Sequence, residues 1–201
     1  RPAVLARNGR RVLVFAWGLD SSGVPKSWAA GMDCPGVNFL EDLSNRSVEA
    51  IAGAVRAAKR PGDLVVASLH WGDNWGYDIP GAQRRFARAL VDAAGVDVVH
   101  GHSSHHPRAI EVHRGKLILY GCGDLINDYE GISGHDLYRG ELGLMYFATL
   151  DGSGHLQKLA MRAVTRRRLR LNASSQEEAA WLTHRLDDEC RHLGSRVELA
   201  P

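Results

Sequence analysis

Histidines follow two apolar runs of this 201-residue chain, and their type and spacing suit metal chemistry. His70 ends the apolar run at residues 63–70, while His102 and His105 come just after the run at residues 96–99. Neutral imidazole is the commonest protein metal ligand near neutral pH. One histidine after an apolar run is more often structural than a ligand, but several histidines at two strand ends indicate a metal site. We therefore predict that His70, His102 and His105 bind a divalent metal ion.

The residues alone leave the number and identity of the metal ions open. Three imidazoles are sufficient for a zinc site with one open position, whereas two ions need additional ligands, usually carboxylates. Asp124 and Asp128 follow a third apolar run and are the candidates, although either can instead orient a histidine. Mn, Fe, Zn and Mg are not distinguished. We predict that Asp124 or Asn127 positions the substrate.

The loop after His70 is rich in aromatic and polar residues. Trp71, Trp75 and Tyr77 are predicted to wall a pocket, with aromatic core packing as the equally weighted alternative. Trp71, Asn74 and Arg84 are the predicted substrate contacts. Gly101 is expected to let the backbone bend so that the flanking imidazoles converge. Cys122 is expected to be a buried, inert thiol rather than a nucleophile.

The elements around these residues predict an α/β fold. The apolar runs at 63–70 and 96–99 are predicted strands, and a helix that begins at Pro80 and ends at Gly95 separates them. Such a βαβ unit makes the two strands parallel. Ligands of open α/β sheets lie beyond the carboxyl ends of the strands, which is where the histidines fall.

The remaining segments complete the predicted fold. We expect a strand at 11–17, an irregular loop at 19–43, a helix at 47–59, a hairpin turn at Arg114-Gly115, and strands at 142–150 and 155–164. Arg166, Arg168 and Arg170 alternate with other residues as on the solvated face of a strand. Ser174 and Glu177 form the predicted capping box of a C-terminal helix.

Composition is typical of a soluble globular protein, with 44% hydrophobic and 24% charged residues, and we predict one domain over residues 1–201. A net charge of +2 and an arginine run without interleaved aromatics disfavour nucleic-acid binding. Three cysteines do not make a disulfide framework. No apolar run reaches the roughly 20 residues that span a bilayer. Location, in the cytoplasm or at the cell surface, is left open.

Several motifs resemble the CapA family of capsule-synthesis proteins, which belongs to the calcineurin-like metallophosphatase superfamily. The resemblance implies an αββα sandwich with a dinuclear metal centre, in which His70, His102 and His105 are metal ligands, and a role in poly-γ-glutamate biosynthesis. The matching segments are Ser68-Leu-His-Trp-Gly72, Pro80 with Gln83-Arg84, Asp97-Val-Val-His-Gly-His102-Ser-Ser-His105, Ile110-Glu-Val-His-Arg-Gly-Lys116 and Tyr120-Gly-Cys-Gly-Asp-Leu-Ile-Asn127.

The chain also departs from the family pattern. Asn74 stands where family members usually have an acidic residue, and no Asn-His dipeptide occurs anywhere in the chain. The early Asp motif of the superfamily is missing, and the chain begins at Arg1 rather than at Met. We therefore expect the chain to be the C-terminal part of a longer CapA-like domain, with an upstream segment of the same protein as its partner.

Two functional hypotheses follow. In the first, the chain belongs to a metal-dependent hydrolase that acts on a phosphoester or a related polymer linkage. In the second, it is a non-catalytic subunit that binds an anionic polymer, poly-γ-glutamate, for assembly or export. Arg84, Arg108, Arg114 and the later arginine run would then bind the carboxylates of the polymer.

Overall fold

The computed structural model describes residues 1–127 and 132–200. Within these ranges the chain forms two β-sheets and three α-helices, connected by loops and short 3-10 turns. Asp128, one of the predicted metal or orienting ligands, lies outside the described residues. The prediction that the chain is one domain and the C-terminal part of a longer one stays a prediction.

The larger sheet is mixed, with parallel strands in its centre and antiparallel strands at its edges. The strands are β1 (Ala3–Arg7), β2 (Arg10–Leu19), β3 (Phe39–Leu40), β4 (Leu64–His70), β5 (Val98–His102), β6 (Ile110–His113) and β7 (Lys116–Leu119). Their order in the sheet is β1-β2-β4-β5-β7-β6, and β3 pairs with the end of β2. The central strands β2, β4, β5 and β7 run parallel, whereas β1 and β6 are antiparallel to their neighbours.

Two amphipathic helices pack side by side against the larger sheet. Helix α1 (Asn45–Ala58) buries Val48, Ile51 and Val55, and helix α2 (Gly81–Ala93) buries Phe86 and Leu90. These side chains share one core cluster with the central strands. The predicted βαβ unit is confirmed, because α2 connects the parallel strands β4 and β5. Pro80 is the residue just before the first turn of α2 rather than part of that turn.

A smaller antiparallel sheet packs against the same core. It consists of β8 (Leu142–Leu150), β9 (Leu156–Arg167) and β10 (Arg170–Ala173). Tyr146, Leu159 and Met161 contact the core cluster of the larger sheet. The predicted continuous strand through the arginine run is wrong, because Arg168 and Leu169 both have a φ of 54° and form the turn between β9 and β10.

Helix α3 (Gln176–Arg191) contacts β6 and β9, and its Leu182 and Leu186 pack against Leu142 and Leu144. Its capping box lies one residue later than predicted, at Ser175 and Glu178. The reason is tertiary: the Glu178 carboxylate accepts hydrogen bonds from the Ser175 N–H (2.8 Å) and from the Thr165 hydroxyl on β9 (2.9 Å).

The prediction that the fold combines helices and strands around a βαβ unit is confirmed, and the larger sheet is mixed. The predicted hairpin between β6 and β7 is also confirmed. Two sheets with helices packed around them are consistent with a metallophosphatase-like fold. Among the described residues, no helix combines the length and apolar character that a membrane crossing requires.

The capping contact of Glu178 generates a stability prediction. Glu178→Ala should lower the free energy of unfolding by about 1 kcal/mol, because the Ser175 N–H loses its acceptor and the buried Thr165 hydroxyl keeps only its longer contact with Ser174 Oγ at 3.2 Å. Glu177→Ala, which removes an exposed carboxylate from the same turn, is the matched control and should leave stability nearly unchanged. Urea unfolding of both variants measures the difference. Equal losses would contradict the assigned register of the cap.

Candidate functional site

Four polar side chains from β4 and β5 form a compact group, which we call the histidine cluster: Ser68, His70, His100 and His102. The strand register places Ser68 opposite His100 and His70 opposite His102. Side chains two residues apart on a strand point to the same face, so all four share one face of the sheet. The Nδ1 atoms of His70 and His102 are 3.0 Å apart. Ser68 Oγ lies 3.1 Å from His102 Nε2 and 3.2 Å from His100 Nδ1.

The imidazoles of the histidine cluster are held in the neutral state. Burial, followed by the charges of His100 and His70, lowers the pKa of His102 from 6.5 to about 4. Burial also lowers the pKa of His70 and of His100. Metal ligation requires the neutral ring, so these three side chains are in the protonation state that a divalent ion needs at pH 7.

The geometry of His70 and His102 fits two ligands of one metal ion. The two rings are hydrogen-bonded at 3.0 Å, so one Nδ1 carries a proton that a metal ion would replace. Two nitrogen ligands of a tetrahedral zinc ion are about 3.3 Å apart, which differs from this separation by only a few tenths of an ångström. Across residues 1–127 and 132–200, however, no group of three or more His, Cys, Asp or Glu side chains is arranged to hold a metal ion. The described chain therefore offers a pair of imidazole ligands rather than a complete coordination shell.

His105 is engaged with different partners. Its Nδ1 lies 2.9 Å from Asp124 Oδ2, which also accepts a hydrogen bond from Asn127 Nδ2 at 3.1 Å. The backbone N–H of His105 donates to the carbonyl of Asn74, and Ser103, two residues earlier in the chain, has a φ of 133°. Because the backbone after β5 is irregular, the His105 side chain lies with Asp124 rather than within the histidine cluster. The structure thus pairs His70 with His102, and it pairs His105 with Asp124 and Asn127.

His105 and Asp124 line a pocket beside the histidine cluster, with a volume of about 140 Å³. Trp75 forms one wall and stacks on His135, with the ring centroids 4.0 Å apart. The predicted role of Trp75 as a wall residue agrees with this arrangement. The other lining residues are Asn127, Ile132, Asp136, Gly140, Glu141 and Arg166.

Two predicted substrate contacts, Trp71 and Arg84, are not among the residues that line this pocket. Trp71 is only 1% exposed and donates its indole N–H to the carbonyl of Tyr120 at 3.1 Å. Trp71 therefore packs in the core, which was the alternative prediction for this residue. Arg84 lies on α2, whose Phe86 packs against Trp71. Asn74 does border the site, because its Oδ1 accepts a hydrogen bond from Ser103 Oγ at 3.2 Å.

Gly101 serves close packing rather than a bend. It lies inside β5, and a Cβ atom there would be 2.5 Å from both Trp71 Nε1 and the carbonyl oxygen of Tyr120. Only a residue without a side chain lets these groups come so close. The expectation for Cys122 agrees with its surroundings, since burial raises the pKa of its thiol to about 12.

Sequence reasoning missed Ser68, His135 and Arg166 as neighbours of the site, and it placed His100 beside the predicted ligands without giving it a role. For Ser68 and His100 a signal existed: each lies two residues before a predicted ligand on the same strand, and side chains alternate between faces. Arg166 was assigned to a solvated strand face, whereas its side chain is 10% exposed and lines the pocket. Nothing in the sequence pattern indicates that it turns inward.

The lowered histidine pKa values predict how stability depends on pH. The pKa values of His102 and of the fully buried His106 are both lowered to about 4, mainly by burial. A histidine whose pKa is lowered by folding binds fewer protons in the folded state than in the unfolded state. Its contribution to the free energy of unfolding is therefore complete above pH 6.5 and is lost as the pH falls toward 4. For metal-free protein, the free energy of unfolding should fall by about 1–3 kcal/mol from pH 6 to pH 5.

Urea unfolding at pH 5, 6 and 7 measures this slope. His106→Phe keeps an aromatic ring against Trp75 and Tyr77 but cannot titrate, so the slope should become shallower. His184→Ala on α3, which removes an exposed ring, is the control and should keep the wild-type slope. A slope that is unchanged in His106→Phe would contradict the assignment.

Comparisons with known proteins show the family to which the chain belongs. The family model described as "Bacterial capsule synthesis protein PGA_cap" matches residues 1–129. A probable polyglutamine synthesis accessory protein of Mycobacterium tuberculosis is 49% identical over 194 residues, which are 96% of this chain and 51% of that protein. The PGA biosynthesis protein CapA of Bacillus subtilis is 36% identical over 109 residues, 54% of this chain and 26% of that protein.

The capsule biosynthesis protein CapA of Bacillus anthracis is 32% identical over 81 residues, 40% of this chain and 20% of that protein. The chain spans about half the length of the M. tuberculosis relatives that it matches. The family model covers more than half of the chain, and it includes both strands of the histidine cluster. The chain therefore belongs to the bacterial capsule synthesis protein PGA_cap family.

Proposed function

We propose that this chain acts in the synthesis of a glutamate-based capsule polymer, as part of a metal-dependent hydrolase for a phosphoester or polymer linkage. The observation that supports the proposal most directly is the convergence of the His70 and His102 Nδ1 atoms, 3.0 Å apart at the carboxyl ends of adjacent parallel strands. The names of the relatives support the polymer context, since they refer to polyglutamine synthesis, PGA biosynthesis and capsule biosynthesis.

His70 and His102 would hold one divalent ion through their Nδ1 atoms. The hydrogen bond between His102 Nε2 and Ser68 Oγ fixes the orientation of that ring, as bonds from outside the ligand shell commonly do. Water, substrate or side chains outside the described residues would complete the shell. A bound divalent ion would supply Lewis-acid polarisation of the scissile bond.

His105 and Asp124 supply the proton-transfer part of the proposal. A carboxylate that accepts from Nδ1–H leaves Nε2 as the basic nitrogen of the ring, which is the arrangement of a general base or acid. Asn127, held by Asp124, would position the substrate, and Trp75 would form a wall for it.

The alternative, a non-catalytic polymer-binding subunit, finds less support in the arginines. Arg108 is 3% exposed and donates to the carbonyl of Asp78. Arg114 pairs with Asp92 at 3.3 Å, and Arg166 donates to the carbonyl of Asp124. Arg108 and Arg166 are therefore engaged inside the chain, whereas the Arg114 side chain is 73% exposed, so of these three only Arg108 and Arg166 are unsuited to binding a polymer.

The metal proposal predicts that the metal-free protein binds Zn²⁺ or Mn²⁺ and that either imidazole is needed for it. His70→Ala and His102→Ala should each weaken binding at least about 10-fold, because each removes one ligand. Calorimetric titration measures the affinities, and His184→Ala, which removes an exposed ring on α3, is the control. If both His70→Ala and His102→Ala bind the metal with wild-type affinity, the assignment of these two histidines as metal ligands is contradicted.

The catalytic proposal predicts hydrolysis of a chromogenic phosphodiester or of poly-γ-glutamate that stops when a chelator is added. His105→Ala should lower the rate about 100-fold while metal binding by His70 and His102 is retained. Rates with and without chelator and polymer binding at rising salt concentration distinguish the hypotheses. Salt-sensitive polymer binding that the chelator leaves unchanged, without any hydrolysis, would support the binding subunit instead.

A further inference from the structure

We propose that Arg166 is a positioning residue that fixes Asp124 and, through it, the tautomer and orientation of the His105 ring. The inference rests on the role proposed above for His105. It assigns a function at the pocket to an arginine of the smaller sheet, which is remote in sequence from every motif residue of the site.

Arg166 joins two segments that border the pocket. Its Nη1 donates to the carbonyl oxygen of Asp124 at 2.5 Å, and its Nη2 donates to the carbonyl oxygen of Gly140. The same Nη2 lies 3.7 Å from Asp124 Oδ2. The planar guanidinium is suited to this task, because its fixed fork of N–H groups can hold two acceptors at once. The loop after β7 and the segment before β8 are therefore held together by one side chain.

The contacts of Asp124 extend the effect of Arg166 to His105. Asp124 Oδ2 lies 2.9 Å from His105 Nδ1 and accepts from Asn127 Nδ2 at 3.1 Å. A carboxylate at this distance selects the ring tautomer with its proton on Nδ1. Any displacement of the Asp124 backbone moves that carboxylate, so the position of Arg166 determines which ring nitrogen of His105 is basic.

Gly143 on β8 is a second, independent constraint on Asp124. A Cβ atom at residue 143 would lie 2.6 Å from the carbonyl oxygen of Asp124 and 3.4 Å from Arg166 Nη1. The backbone of β8 thus packs directly against the Asp124 carbonyl, to which Arg166 also donates a hydrogen bond. A glycine inside a strand, as at residue 143, is typical of a close approach between two backbone segments.

The neighbouring arginine shows that this position is special within the run. Arg167 lies next to Arg166 on β9 and is exposed. A merely structural role for Arg166 would change the stability of the protein but not the protonated nitrogen of His105. The tautomer of His105 therefore distinguishes a positioning role from a structural one.

The test is ¹⁵N NMR of the histidine rings in metal-free protein at pH 7.5. Wild-type His105 should show a single tautomer with its proton on Nδ1. Arg166→Met and Gly143→Ala should shift the His105 ring resonances toward a mixture of both tautomers, by two different perturbations of Asp124. Arg166→Lys, which keeps the positive charge but lacks the rigid planar fork of the guanidinium, should give an intermediate spectrum. Arg167→Met is the matched control and should match the wild type.

The proposal is overturned if the folded Arg166→Met and Gly143→Ala proteins keep the wild-type tautomer. If Arg166→Met does not fold, the spectrum of Arg166→Lys decides between the two roles by the same criterion. If no Arg166 variant folds, the residue is structural and the positioning role is rejected. Because the measurement needs neither metal nor polymer, a failure of the metal proposal leaves this result unchanged.

Discussion

The parallel pairing of β4 with β5 is the constraint on which the candidate site depends. Its register sets His70 opposite His102 and Ser68 opposite His100. Because side chains alternate along a strand, a shift of one residue in either strand would send that strand's cluster residues to the opposite face and break the pair. The helices and the apolar core stabilise the site indirectly, since burying Leu69 and Val99 on these strands holds the register in place.

Two neighbouring centres result, and they differ in their chemistry. In the histidine cluster, burial keeps the rings neutral and the nitrogens face one another, which suits a shared cation. At His105 a carboxylate and an amide surround the ring, which suits the transfer of a proton. The motif Gly101-His-Ser-Ser-His105 serves both centres because the irregular backbone at Ser103 separates its two histidines. One short segment thus contributes a side chain to each of the two proposed centres.

Much of the fold could be predicted from sequence because it depends on local patterns. The βαβ unit, the hairpin at Arg114-Gly115 and the C-terminal helix follow from apolar periodicity and turn residues, which operate over a few residues. The errors have tertiary causes. The cap of α3 shifted by one residue because Thr165 on β9 also binds Glu178, and Arg166 turned inward because distant carbonyl oxygens accept its N–H groups.

The packing beneath Gly101 has a consequence for which ions the cluster can accept. The indole of Trp71 and the carbonyl of Tyr120 occupy the space that a side chain at residue 101 would need. Strand β5 is therefore seated on an incompressible layer and is bonded to β4 along its length. For the divalent ion proposed above, a larger radius would therefore be accommodated by rotation of the imidazole rings rather than by separation of the two strands. Size selectivity would then depend on the side-chain torsion angles of His70 and His102.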